Sequence, residues 1–311
     1  MPALNAQASI DISAPLKDVH DVLVDFHTWP VWSPWLYLEP DTQVSYRGET
    51  GQTGHGYDWV GNKVGAGGMT LTATTGDRIE CDLQFLKPFK SFARVTFELQ
   101  ETAPSSTRVV WLMDSRLPFF MFFMKDTMNG MIRSDYRRGL ALLKDHVESG
   151  KVPSHSEFVG TVTVDGCDYI GCRSNTDMTN IAESVEHSFQ RLYGSEAGRK
   201  FHSGGRAFCF YERMDYKRDA CVHIAALPTQ GRVEVESPLL SGKRPSCNAL
   251  KVVHTGPYRH LGNAWSLLIS ESRHQKLKAS RTVSPFECYL NDAETTAEDE
   301  LVTELFLPLQ G

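Results

Sequence analysis

Ser284-Pro-Phe-Glu-Cys-Tyr-Leu290 sets a carboxylate in the middle of a stretch with strand composition. Successive side chains of an extended chain point to opposite faces, so Glu287 and Tyr289 share one face while Phe286, Cys288 and Leu290 share the other. One face reads as core and the other as a polar aromatic wall. A carboxylate withdrawn from water is costly unless something pairs with it, so such a strand borders water, a partner or a ligand.

Outward from this strand, Leu250 to His254 has strand character, Leu261, Ala264, Trp265 and Leu268 recur at helical spacing, and Leu301 to Leu309 reads as a final strand. An earlier stretch follows the same order. Phe158 to Val164 and Asp168 to Arg173 read as strands, and Ile181, Val185, Phe189 and Leu192 mark a helix opened by the capping pair Asn180-x-x-Glu183. Ala207 to Met214 and Ala220 to Leu227 then read as two more strands. Two βαββ units separated by about eighty residues predict a pseudo-twofold duplicated domain, one sheet with both helices on one face. The open face and the seam between units are the expected places for a ligand. Phe208, Phe210, Tyr258 and Trp265 therefore join Glu287 and Tyr289 as candidate ligand contacts.

Lys151 to Glu157 is a polar connector without periodicity, which sets the expected domains at residues 1–150 and 158–311. In the first, Gln7 to Ser13 alternates as a half-buried strand. Ser13 is the expected N-cap of a helix with Pro15 in its first turn and Val19, Val22, Leu23 and Phe26 on its buried face. Trp29-Pro-Val-Trp-Ser-Pro-Trp35 is too stiff for a helix and too apolar for an exposed loop. It caps a core or rims a pocket, which makes Trp32 a candidate contact. Short β-rich runs near 43–49, 55–60, 69–75, 78–85, 92–100 and 107–114, broken by glycines and by Pro104-Ser-Ser106, predict an antiparallel meander. Pro118 is expected to open a long helix whose stripe Met128, Ile132, Tyr136, Leu140, Leu143 and Val147 runs to Gly150 and Pro153. The result is an α+β domain in which a curved antiparallel sheet wraps a long C-terminal helix. Its polar candidates, His55, Asp58, Arg94 and Asp114, form no catalytic set by spacing, and His55, between two glycines, reads as an exposed loop histidine.

The 311 residues suffice for two domains with separate cores, and 41% hydrophobic with 23% charged residues is a globular composition. A formal charge of −6 argues against nucleic acid as a partner. Seven cysteines without a C-x-x-C spacing read as reduced thiols. His223 and His254 lack a third ligand by spacing, so neither a metal nor a cofactor is expected. The acidic run Glu294 to Glu304, with Thr296-x-x-Asp299, reads as a capped helical turn on the surface. The first residues lack a basic leader and an apolar core, and the strongly apolar run Leu117 to Met124 is too short to cross a bilayer. The expectation is a cytoplasmic protein with no stable membrane insertion, for which a homodimer is an open option.

Two resemblances sharpen this reading. Ala14-Pro15, Trp29-Pro30, Trp32-Ser-Pro-Trp35, Gly54-x-x-Tyr57-x-Trp59-x-Gly-Asn62, Thr107-Arg-Val-x-Trp111 and Gly139-Leu-x-x-Leu-Lys resemble the START-like, polyketide cyclase-type helix-grip domains over residues 5 to 150. That resemblance implies an apolar cavity between sheet and helix, with Trp59 and Trp32 as contacts. His254-Thr-Gly-Pro-Tyr258-x-x-Leu261-Gly-x-Ala264-Trp265, Phe286-Glu-x-Tyr289-Leu-Asn-Asp and Glu300-Leu-x-Thr-Glu-Leu-x-Leu-Pro308 resemble the GyrI-like, or AraC-type effector-binding, domains over residues 158 to 311. It implies that Glu287 is a buried glutamate facing an aromatic cleft that takes cationic or amphipathic compounds. The first 150 residues carry no recognition-helix pattern, which disfavours a transcription factor. The expected function is a binding protein for a small hydrophobic or cationic aromatic compound. One alternative is a hydrolase of reactive cyclopropane-bearing compounds using Glu287; another is a gyrase-inhibitor-like interaction module.

Overall fold

The computed structural model describes residues 3–88, 90–117, 119–202 and 204–310. It divides between Val152 and Pro153 into two compact units. The division lies within the expected connector, and the first strand of the second unit already begins at His155.

The first unit opens with β1 (Ala3–Ile12), α1 (Leu16–Val24) and α2 (Trp29–Trp32). The strands β2 (Gln43–Arg47), β3 (Gly56–Val60), β4 (Ala66–Thr74), β5 (Arg78–Lys87), β6 (Ser91–Ala103) and β7 (Ser106–Arg116) follow, and α3 (Lys125–Ser149) closes the unit. The sheet order β1-β7-β6-β5-β4-β3-β2 is a meander with the first strand returned to its far edge, antiparallel throughout. The expected runs match these strands because buried and exposed side chains alternate along them, most regularly in β1 and β7.

Three local expectations fail in and around these helices. Pro15, not Ser13, occupies the N-cap of α1, and the Ser13 amide instead donates to the Glu148 carboxylate. Trp29–Trp32 forms one helical turn despite its proline, because Pro30 lies in the first turn, where an amide would lack an intrahelical partner anyway. The long helix starts later than expected. Phe119–Met124 is a 3-10 turn, and Pro118, expected to open the helix, lies outside the described residues. At the other end Gly150 takes φ +71° and its amide bonds the His146 carbonyl, the left-handed termination that glycine makes without strain. Phe122 and Phe123 are exposed beyond this helix start.

The core of the first unit is aromatic. Trp111 stacks on Tyr136 of α3 with centroids 4.0 Å apart and approaches Phe97, Trp32, Trp35 and Trp29 edge-on or tilted. Gly139 lets α3 come this close: a β-carbon there would lie 2.8 Å from Pro34 and from Trp111.

The second unit holds β8 (His155–Val164), β9 (Cys167–Thr176), α4 (Ile181–Gly194), α5 (Glu196–Phe201), β10 (Phe208–Asp215) and β11 (Ala220–Thr229). Then come β12 (Leu239–Arg244), β13 (Cys247–Thr255), α6 (Leu261–His274), β14 (Phe286–Tyr289) and β15 (Val302–Pro308). All eight strands join one sheet in the order β12-β9-β11-β10-β14-β15-β13-β8. If β8 to β11 are equated with β12 to β15, this order reads identically from either end, with the centre between β10 and β14. Each half thus holds four strands; the second half gains β12, absent from the sequence expectation, which pairs with β9 as β8 pairs with β13. Helix α4 packs on β9 and β11, and α6 on β13 and β15.

Two capping expectations are corrected here. The Asn180 side chain does not cap α4; the Asp177 carboxylate accepts from the Thr179 and Asn180 amides instead. In the acidic run the helical turn is Glu298–Glu300, entered from Ala297 without a side-chain cap, so Thr296 has no capping role.

Candidate ligand-binding site

Strand β14 sits at the centre of the second sheet, between β10 and β15. Its register sets Glu287 beside Cys209 of β10, while Phe286 and Cys288 lie beside Phe210 and Phe208. Alternation then decides which residues can meet. Glu287, Tyr289 and Tyr211 share one face, together with Trp265 of α6, whereas Phe208 and Phe210 belong with Phe286 on the other. The expectation that Phe208 and Phe210 line the Glu287 site is thereby corrected: both are core residues of the opposite face, 1% and 6% exposed.

The Glu287 side chain is buried, with 1% of the residue exposed. Its carboxylate accepts three hydrogen bonds: Tyr289 Oη to Oε1 at 2.6 Å, Tyr211 Oη to Oε1 at 2.8 Å, and Trp265 Nε1 to Oε2 at 3.0 Å. Each donor is neutral, and among the described residues no cation pairs with Glu287. Burial pushes the carboxyl pKa above its ordinary value, and the Tyr289, Tyr211 and Trp265 bonds offset this only in part. Burial and the adjacent carboxylate in turn push both tyrosine hydroxyls well above their usual range. The carboxylate is held by two phenolic hydroxyls and an indole.

Aromatic rings continue outward from this carboxylate. Tyr289 contacts Phe189 of α4 and Tyr258, the latter in a 3-10 turn leading into α6, with centroids 5.4 and 5.5 Å away. Tyr211 meets Trp265 edge-on at 5.5 Å, and Phe189 approaches Tyr193 at 6.3 Å. Tyr193 is exposed; Phe189, Tyr211, Tyr258, Trp265 and Tyr289 are all half-buried. Rings from α4, α6 and the central strands thus run from the surface down to a buried carboxylate. Tyr211, Phe189 and Tyr193 did not emerge from the sequence as site residues. Tyr211 was accessible in principle, since it lies two residues beyond Cys209 and so on the Glu287 face.

The other candidates disperse. His223 bonds Ser184 Oγ at 2.9 Å on one strand and His254 bonds Ser156 Oγ at 3.0 Å on another. In the first unit Trp32 is fully buried in the tryptophan stack and bonds Thr28, and Trp59 packs between Tyr57 and Phe85, so both serve the core. Asp58 pairs with Arg47, and Arg94 lies 3.8 Å from Asp82 on the surface. Asp114 is exposed on β7. His55 is not an exposed loop residue: it is 0% exposed and stacks on Phe26 at 4.9 Å. No described helix is long and apolar enough to cross a membrane.

Fold and site together define two compact units, the second of which buries a carboxylate beneath a run of aromatic rings. Comparison with protein families assigns the halves. Residues 3–148 match the polyketide cyclase/dehydrase and lipid transport family, and residues 161–310 match the GyrI-like small molecule binding domain. The chain is a polyketide cyclase-type domain fused to a GyrI-like domain. Among solved structures, the crystal structure of the EcmrR C-terminal domain is 18% identical, covering 50% of this chain and 98% of its own, with a TM-score of 0.40. EcmrR in its DNA complex is 17% identical over 63% of this chain and 73% of its own, at 0.42. A protein from Chromobacterium violaceum is 14% identical over 47% and 97%, at 0.36. No curated protein matches significantly.

Proposed function

We propose that the GyrI-like domain captures a small aromatic or amphipathic compound bearing a cationic or strongly hydrogen-bond-donating group, with Glu287 as its polar anchor. One observation carries this reading: a buried carboxylate, held only by neutral donors, lies at the foot of a series of partly exposed rings. An ionised carboxylate offers about four acceptor positions, and the three bonds leave one of them for a ligand. A cation there gains charge pairing strengthened by the surrounding low dielectric, and contact with the faces of Tyr289, Tyr258 or Trp265 adds cation-π attraction. The first unit, whose candidate residues serve the core, is not assigned this ligand.

The raised Glu287 pKa and the short Tyr289 bond also favour a second reading, in which the protonated carboxyl acts as a general acid on an electrophilic substrate. Fluorescence titration tests the first reading. Trp265 is the only tryptophan beyond residue 152, so the difference between the wild-type signal and that of Trp265→Phe reports on this site. An aromatic quaternary ammonium is expected to bind more tightly than its neutral isostere, and equal affinity would overturn the charge-pairing account. Catalytic consumption of an activated electrophile, lost in Glu287→Gln, would instead support the second reading.

A further inference from the structure

A second group of potential ligands lies in the other unit, where the turn between α1 and α2 meets the start of β3. Asp25 ends α1, His27 follows two residues later, and His55 immediately precedes β3. One donor atom from each, a carboxylate oxygen and two imidazole nitrogens, lies within 4.8 Å of the other two. We propose that Asp25, His27 and His55 form a binding site for a divalent transition-metal ion of the zinc or cobalt type.

The donor chemistry fits. Two imidazoles and one carboxylate are borderline ligands suited to Zn²⁺ and its neighbours, and three protein ligands leave a fourth tetrahedral position for water. Each side chain is also partly pre-arranged. His55 Nδ1 donates to the Arg47 carbonyl at 3.2 Å, which fixes the tautomer and leaves the lone pair on Nε2. Among the described residues that lone pair meets only the Phe26 amide, at a long 3.4 Å, a contact that a metal–nitrogen bond readily outcompetes. Asp25 Oδ1 lies 2.8 Å from His27 Nδ1 and also accepts the His27 amide at 3.0 Å, so the carboxylate and the imidazole already converge. Tyr46 stacks on His27 at 4.0 Å and limits its rotation.

Access does not require unfolding. His55 is buried, but the side chains of Asp25 and His27 are 34% and 52% exposed, so an ion reaches the cluster from solvent. Bound there, it ties the α1–α2 turn to the edge of β3. The turn carries Phe26 and leads into Trp29, the first residue of α2, both fully buried core residues, so the ion fastens a segment on which the core of the unit depends. A ligand that binds only the native state stabilises it by mass action, which gives the site a readout independent of any activity.

The test uses the full chain without an affinity tag, stripped with a chelator and then titrated with ZnCl2, CoCl2 or MgCl2. Zn²⁺ is expected to raise the melting temperature and Mg²⁺ to leave it unchanged, while Co²⁺ develops visible absorption from nitrogen and oxygen coordination. His27→Ala and Asp25→Asn alter exposed side chains, and each is expected to raise the Zn²⁺ dissociation constant roughly tenfold or more. His20→Ala, outside the cluster, is expected to keep wild-type affinity. The assignment is overturned if Zn²⁺ fails to stabilise the wild type, or if it binds both cluster variants as tightly as the wild type.

Discussion

Replacing Glu287 by glutamine removes a charge from the second unit while keeping the shape of the side chain. The amide can keep the hydrogen bonds by turning its oxygen toward Trp265 Nε1 and donating from its nitrogen to the two tyrosine hydroxyls, which accept as well as donate. What changes is the cost of burying an anion with no cation beside it among the described residues. That cost is several kcal/mol for an ion taken out of water, and the three hydrogen bonds to the charged group, at about 1.5–3 kcal/mol each, offset most but not all of it, since the carboxyl pKa stays raised. The residual penalty comes to roughly 1–3 kcal/mol and exists only when the carboxyl is ionised. Because the folded pKa is raised above 4.5, folding takes up a proton between these two values. Stability associated with protonated Glu287 is therefore fully present below 4.5 and is lost as the pH rises through the raised folded value. Glu287→Gln should accordingly be more stable than the wild type at pH 8, by about 3–10 °C in Tm for a unit of this size, with the gap closing on acidification to pH 4. Paired thermal melts across this range measure it. A variant less stable than the wild type at pH 8, or a gap independent of pH, would refute the claim that an uncompensated carboxylate is buried there.

Other consequences follow from single contacts. Tyr289→Phe removes the shortest bond to Glu287 and with it a contribution that lowers the carboxyl pKa, so the pH-dependent loss of stability should move to higher pH, read from the same melts. In the first unit, Glu39 accepts the amides of Asn62, Lys63 and Val64 at 2.7, 2.9 and 2.9 Å and so holds the β3–β4 turn. Glu39→Ala should cost about 2–4 kcal/mol in denaturant unfolding at pH 7. Burial opposes ionisation of Glu39, but the three amide bonds outweigh it and hold the folded pKa below 4.5. This stabilisation is therefore complete above 4.5 and lost as the pH falls through the lowered value, so the variant and the wild type should converge in acid.

Much of this architecture was legible in the chain, and the reasons differ by region. The meander of the first unit showed through because its strands are half-buried and alternate. Strand β12 escaped notice because Leu239-Leu-Ser-Gly-Lys-Arg244 is a short edge strand without a clean alternation, and its glycine and charges read as loop. At the site, period two correctly joined Glu287 to Tyr289. The same rule excluded Phe208 and Phe210 only once β10 was known to lie beside β14, because a face is shared only after register is set. Tyr211, Phe189 and Tyr193 come from a neighbouring strand and a helix distant in sequence, and no local pattern announces that three elements converge. His55 misled for a related reason: two flanking glycines suggest an exposed turn, yet the following strand carries the imidazole inward onto Phe26.

Isothermal titration of an aromatic ammonium compound into the wild type and Glu287→Gln, at pH 8 and matched protein concentration, bears most directly on the central claim. If Glu287 is the anchor of the site, the loss of a buried charge partner should cost about 2–4 kcal/mol, a roughly 30- to 1000-fold weaker Kd, while a neutral isostere binds both proteins alike. Equal affinity of the cation for the two proteins would contradict the account and leave Glu287 as a structural carboxylate.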